Sequence, residues 1–152
     1  MKKILIWLVV DLLMLTSCNT VHYVTPSVNL ISENSGMLKL RSTGISNEKY
    51  NAIAEAEKNA ILEILFVGIP NSQYKDAMIV EQKEVARSKY ARYFKNLLDE
   101  AGYKTFIISS IPTTEQALTV KGKKVMTTDV VVNIRALRQS LEKNGVIRKF
   151  GY

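Results

Sequence analysis

Few side chains in this sequence combine the type and the spacing that catalysis or metal binding requires. His22 is the only histidine, and a metal site or a Ser-His-Asp arrangement needs several groups that converge on one point. Glu55 and Glu57 lie two residues apart on a predicted helix and therefore point to different faces. Glu81 and Glu84 alternate with basic residues, which is typical of a solvated charged face. The sequence therefore predicts no enzyme, no metal site and no cofactor.

The one cysteine, Cys18, has a more specific chemical context. Leu15 is aliphatic, Thr16 and Ser17 are small, and the thiol follows directly. This order resembles the bacterial lipobox, in which the thiol accepts diacylglycerol and the small residues give a peptidase access to the scissile bond. A disulfide would need a second cysteine, which the sequence lacks. The alternative is an ordinary buried thiol that follows an uncleaved anchor helix.

The residues before Cys18 have the pattern of a secretory signal. Lys2 and Lys3 precede an apolar run over residues 4–15, which Asp11 alone interrupts. Such a run is too short to span a hydrocarbon core of about 30 Å and fits the apolar region of a signal peptide. We therefore predict a signal peptide over residues 1–17, a lipidated tether over residues 18–26 and a single periplasmic α+β domain over residues 27–152.

The residues after Cys18 indicate a destination. Asn19 stands where an aspartate would signal retention in the inner membrane under the best-known sorting rule, so the outer membrane is the default. Export to the surface of some bacteria depends on an acidic cluster just after the cysteine, whereas the first acid here is Glu33. The sequence thus predicts a protein held on the outer membrane by its lipid, palmitate included, and facing the periplasm. Nucleic acid is excluded as a partner in that compartment.

Length and composition describe an ordinary globular domain. The chain has 152 residues, of which 47% are hydrophobic and 23% charged, which excludes a low-complexity or disulfide-stapled protein. The net charge is +7. Basic residues at one predicted turn, and basic and aromatic residues in the C-terminal tail, are candidate partner contacts; for the turn, plain solubility is the alternative. The candidates are Lys121, Lys123, Lys124, Arg148, Lys149, Phe150 and Tyr152.

One helix is predicted with particular clarity, over residues 47–67. Its alanines recur every four residues and form a stripe of small side chains that would let the helix lie close to a sheet. Ser46 or Asn47 can cap the helix, and Gly68 can end it. The stripe consists of Ala52, Ala56 and Ala60.

Two further helices are predicted from apolar residues at spacings of three and four. The first runs over residues 74–101 and is less regular over residues 75–80, where a separate short helix is the alternative. Gly102 is suited to follow its end. The last helix covers residues 135–143 and ends at Asn144-Gly145.

Segments that alternate or are rich in β-branched residues predict the strands. Gly44 is expected to close the second strand, and Gly122 to form a tight turn between the last two. Val130 to Val132 suggest a strand that is covered on both faces or lies at the sheet centre. The element order ββα(α)ββ(β)α predicts an α+β fold, with helices packed on one face of a small, largely antiparallel sheet. The predicted strands are residues 28–32, 37–43, 104–111, 116–120 and 124–134.

A family resemblance follows from this layout. A strand that ends at Gly44 leads into the helix with the alanine stripe, and a later hairpin ends in Val130-Val131-Val132-Asn133-Ile134. This resembles the small αβ domains of periplasmic lipoproteins and flagellar assembly factors of the FlgT N-terminal type. Size, anchor and layout are also similar to TssQ-like lipoproteins of the Bacteroidetes type VI secretion apparatus. The resemblance implies a protein that assembles into an envelope machine and catalyses no reaction.

Two functions follow as hypotheses. The first is a lipid-anchored structural or assembly component that contacts other subunits of an envelope complex such as a secretion machine. The alternative is a lipoprotein that binds peptidoglycan or another envelope polymer. In the first case we expect one chain end to order against a partner: the tail over residues 146–152, whose aromatic and basic residue types are common at interfaces, in preference to the uncharged, strand-prone tether over residues 19–26. The alternative for the tail is that Val146, Ile147 and Phe150 pack on their own molecule.

Overall fold

Helices cover one face of a five-stranded antiparallel sheet in the computed structural model, which describes residues 24–113 and 117–149. The strand order is β1-β2-β5-β3, and β4 pairs with β5 on the side of β3. The predicted α+β fold and its layer arrangement are confirmed. The strands of the described residues are β1 (Val28–Asn34), β2 (Met37–Ser46), β3 (Ile107–Pro112), β4 (Leu118–Val120) and β5 (Lys123–Asn133).

The central strand is β5, as the valine run predicts. It pairs with β2 along nearly its whole length, from Lys124 opposite Ser46 to Asn133 opposite Met37, and with β3 and β4 on its other side. Val130 and Val132 are completely buried against the helices. The β4–β5 connection is the two residues Lys121 and Gly122, whose φ angles of 50° and 77° belong to the left-handed region. Such a turn matches the twist of the strands that it joins.

The long helix α1 (Lys49–Phe66) lies on this sheet through its alanine stripe, which is fully buried as predicted. Gly44, expected to end a strand, is instead inside β2, where a Cβ atom would overlap backbone atoms of Ala52 and Ala56. The Ser42 hydroxyl also donates to the Ala56 carbonyl at 2.7 Å. The missing side chain of Gly44 therefore sets how closely α1 approaches the sheet.

The predicted cap of α1 is wrong. Ser46 is the last residue of β2, and Glu48 occupies the N-cap position without a side-chain hydrogen bond to the helix end. The reason is that β2 continues past Gly44, so that Ser46 pairs with Lys124 in the sheet and is not available to cap the helix.

The second predicted helix is broken into pieces. It consists of α2 (Lys83–Lys89), α3 (Ala91–Phe94) and a π-helical turn (Lys95–Asp99). Residues 75–80 are not helical, because this segment crosses the end of α1, where the Met78 and Ile79 N–H groups donate to the Ile64 and Leu65 carbonyls.

The end of this region also differs from the prediction. Ala101 rather than Gly102 takes the left-handed conformation, with φ of 57°. Gly102 begins a 3-10 helix (Gly102–Phe106). Because that helix occupies residues expected in a strand, β3 begins at Ile107 instead of residue 104.

The last helix, α4 (Ile134–Lys143), begins where β5 ends. The Asn133 side chain caps it by accepting the Ala136 N–H at 3.0 Å, and the helix ends at Asn144 as predicted. Leu137 and Leu141 place its apolar side in the core between the helices and the sheet. The largest fully buried side chains of that core are Phe94, Leu38, Leu40, Ile61, Ile64, Leu65, Ile69, Met126, Ile134, Leu137, Leu141 and Val130.

Candidate interaction surfaces

Several of the residues singled out in the sequence lie outside the described part of the chain. They are Leu15, Thr16, Ser17, Cys18, His22, Phe150 and Tyr152. The lipidation site and the aromatic end of the tail therefore stay predictions. The other predicted contacts, at the basic turn and at the start of the tail, have defined positions.

The basic turn is the tip of the β4–β5 hairpin. Lys121 and Lys123 are exposed, while Lys124 is half-buried and its Nζ donates to the Thr119 hydroxyl at 3.0 Å. The turn lies at one end of β5, and the start of α4 lies at the other, where the Ile134 N–H donates to the Gly36 carbonyl. The turn thus places three lysines at one end of the sheet, two of them exposed.

The start of the tail belongs to the core. Val146 is 5% exposed, and its N–H donates to the Leu141 carbonyl at 2.9 Å. Ile147 packs against the same core, while Arg148 and Lys149 are exposed. The expectation that the whole tail orders on a partner is wrong for its first two residues, since burial on their own molecule already satisfies these apolar side chains.

The sheet face away from the helices carries an ion-pair network across β2 and β5. Arg41 lies directly opposite Asp129 and donates to both of its carboxylate oxygens, at 2.8 and 3.1 Å, with Lys39 3.9 Å away. The hydrogen bonds from Arg41 lower the pKa of the Asp129 carboxyl, although its partial burial opposes this. The network fixes the register of the two strands on their polar side.

The edge formed by β3 and β4 is the most apolar exposed part of the described sheet. Ile108 is 54% exposed, Ile111 62% and Leu118 67%. Neither β3 nor β4 pairs with a second strand of the described residues along its other edge. No residue of β3 or β4 is charged. We call these two strands the β3–β4 edge.

A polar cleft of about 530 Å³ lies between the broken helix and α4. Lys89, Arg92 and Asn96 line one side, and Ser140 and Asn144 line the other. The Tyr93 hydroxyl is 3.2 Å from the Ser140 hydroxyl and links the two sides, and burial raises the pKa of the Tyr93 phenol. We call this site the Tyr90 cleft, after the residue at which α2 gives way to α3.

The cleft exists because the helix breaks at Tyr90, whose φ and ψ of −117° and 42° are not helical. The Lys89 Nζ lies 5.0 Å from the centroid of the Tyr90 ring and donates a hydrogen bond to the Glu81 carboxylate at 2.8 Å. The hydrogen bond to Glu81 raises the pKa of Lys89. Sequence reasoning missed this site because it treated residues 74–101 as one helix, although their dense basic and tyrosine content was a visible signal.

No group of histidine, cysteine or acidic residues within the described ranges could hold a metal ion. Among the same residues, no helix has the length and apolarity needed to cross a membrane. Comparisons with protein-family models, curated proteins and solved structures give no match. The resemblance to FlgT-type domains and TssQ-like lipoproteins therefore stays a prediction.

Proposed function

We propose that this protein is a lipid-anchored docking component of a bacterial envelope complex. In this role Cys18 carries the lipid, the domain faces the periplasm from the outer membrane, and the β3–β4 edge binds another subunit. The sequence resemblance suggests a secretion machine as the complex.

The observation that carries this proposal is the apolar, uncharged β3–β4 edge. An edge strand presents unpaired N–H and C=O groups, and natural proteins usually protect such an edge with charge, proline or a bulge. Here the protection is limited to a bulge between Ile107 and Ser109 and to Pro112 at the strand end. Exposed Ile108 and Ile111 would gain from burial under a partner. A partner strand that adds to this edge would pair the free backbone groups and would also cover the exposed isoleucines.

The basic turn continues the same edge and indicates the partner's charge. β5 pairs with β3 through Val132 to Thr128 and then with β4 through Val125 to Lys123, so both strands follow one line. That line ends at Lys121 and Lys123. A partner segment with apolar side chains followed by an acidic end therefore has complementary chemistry along the whole edge.

The anchor is supported by the residues around Cys18. The order aliphatic, small, small, cysteine, placed after a short apolar run, is what lipidation at a thiol requires. A Cys18→Ala chain expressed in bacteria should therefore fail to incorporate labelled palmitate and should leave the membrane fraction. Continued labelling of the variant would refute the assignment of the lipidation site.

Docking is tested by placing a charge on the edge. Ile111→Lys should keep the domain folded, because this side chain is already 62% exposed. It should remove co-purifying envelope subunits when the protein is captured from detergent-solubilised membranes and analysed by mass spectrometry. Val80→Lys is the matched control, since Val80 is 97% exposed and belongs to the loop before α2.

Hydrogen exchange on the captured pair then identifies the binding mode. Strand addition should protect amides of β3 that point away from β5, whereas binding elsewhere leaves them unchanged. Retention of all partners by Ile111→Lys would contradict docking at this edge, as would equal losses in Ile111→Lys and Val80→Lys.

A further inference from the structure

The second feature of the molecule that suggests a ligand is the Tyr90 cleft, which contains no residue of the sheet. Its volume of about 530 Å³ falls in the range of about 300–1,000 Å³ that is common for ligand sites. The two helices that form its walls are each anchored in the core, α3 through the buried Phe94 and α4 through the buried Leu141. The cleft is thus a formed site with polar groups along its rim.

Of the two basic side chains that line the cleft, Lys89 and Arg92, only Lys89 has a carboxylate neighbour among the described residues. Most basic side chains around the broken helix have a carboxylate neighbour: Arg87 with Asp99 at 3.4 Å, Lys89 with Glu81 at 2.8 Å and Lys95 with Glu100 at 3.7 Å. Arg92 lines the cleft, is exposed and has no carboxylate partner among the described residues. A carboxylate supplied from outside would complete the pattern, and a guanidinium binds it through two parallel hydrogen bonds.

The opposite wall offers a complementary neutral group. The Asn144 amide nitrogen donates to the Ser140 carbonyl at 2.8 Å. The carbonyl oxygen of the same amide is a further acceptor. It suits a backbone N–H of a bound segment. A ligand that carries both a carboxylate and a nearby amide N–H therefore fits the two walls together.

The local backbone gives an independent sign of function. Directly after α3 the chain forms the π-helical turn that contains Asn96, another residue of the cleft. Turns of this kind are rare and occur frequently at functional sites, because they sacrifice regular helical hydrogen bonding to place a side chain. The break at Tyr90 and the π turn thus flank the cleft on the same chain segment.

We propose that the Tyr90 cleft binds an acidic peptide segment, whose carboxylate pairs with Arg92 and whose backbone N–H donates to Asn144. This site is separate from the β3–β4 edge, and it does not depend on docking there. It would give the protein a second, charge-selective contact with a protein partner.

The test uses the purified full-length lipoprotein in detergent and a fluorescein-labelled peptide of alternating aspartate and glycine. Fluorescence anisotropy at 150 mM salt should show saturable binding, and the same peptide with asparagine in place of aspartate should not bind. Arg92→Gln should weaken binding by about tenfold, the usual effect of losing one charge-assisted pair. Lys104→Gln removes an equal charge from an exposed residue outside the cleft and should change affinity by less than about twofold.

Three results would overturn the proposal: no binding of the aspartate peptide, equal weakening by Arg92→Gln and Lys104→Gln, or equal binding of the asparagine peptide. Peptidoglycan sacculi provide the competing outcome. The protein would then co-sediment with sacculi, Arg92→Gln would abolish this co-sedimentation, and sacculi would displace the peptide. In that case the ligand is an envelope glycan and the peptide proposal is wrong. Ile111→Lys should bind the peptide normally. Loss of docking at the β3–β4 edge can therefore be distinguished from loss of peptide binding in the cleft.

Discussion

The contact between Gly44 and α1 predicts a large effect from a single methyl group. Gly44→Ala would direct a Cβ atom into the Ala52 carbonyl and the Ala56 backbone nitrogen. These are backbone atoms in the middle of a helix, so no side-chain rotation can relieve the overlap and α1 must move away from β2. Gly44 has no positive φ. Alanine therefore adds no backbone strain, and the steric contact alone is measured.

Overpacking of a closely packed contact costs about 1–3 kcal/mol, and a clash between backbones belongs at the upper end. For a domain of this size, about 3 kcal/mol corresponds to a decrease in melting temperature of about 12 °C. Circular dichroism melts of the soluble chain from Asn19 to Tyr152 measure this. Ser46→Ala, two residues further along β2 and half-buried, is the control and should change stability by less than about 0.5 kcal/mol. A Gly44→Ala melt within 2 °C of the parent would show that the helix does not approach the strand as described.

Three further outcomes are expected. Ala60→Leu should lower the melting temperature by an amount equivalent to about 1–3 kcal/mol, because Ala60 is fully buried; an unchanged melt would place the alanine stripe in solvent. Deletion of residues 148–152 should leave the melt within 2 °C, because Val146 keeps its place in the core; an earlier transition would mean that the deleted aromatic residues are part of that core. Asp129→Asn should lower the urea midpoint at pH 7, and the difference from the parent should shrink as the pH falls: the Asp129 pKa is lowered by Arg41, so this stabilisation is present above the ordinary aspartate pKa and is lost as pH falls through the lowered one. A difference that does not shrink with falling pH would assign the effect to packing.

The parts of the fold that the sequence predicts are those governed by local periodicity. The alanine stripe of α1 repeats every four residues, which is typical of the buried face of a helix. The alternation in β2 repeats every two residues, which is typical of the buried face of a strand. The turn at Gly122 is also predicted from local sequence, because a glycine between two strand-like segments favours a hairpin. In each case a short window contains the whole physical cause.

The parts that the sequence could not predict depend on distant residues. Arg41 and Asp129 are 88 positions apart, and only the pairing of β2 with β5 brings them together. The irregular path over residues 75–80 follows from hydrogen bonds to the end of α1 rather than from its own propensity. The Tyr90 cleft needs both a helix break and the approach of α4. Helical spacing alone does not encode either event.

The position of β1 has a mechanical consequence. Among the described strands it is the outermost on one side of the sheet and pairs with β2 alone, while the β3–β4 edge lies at the opposite side. If the amino end is held by a lipid and the far edge by a partner, tension crosses the sheet at right angles to its strands. It therefore loads the interstrand hydrogen bonds one after another, beginning where the Thr43 N–H meets the Ser27 carbonyl. Such a domain yields under force by peeling off β1 first, while the contact of α1 with β2 and β5 persists.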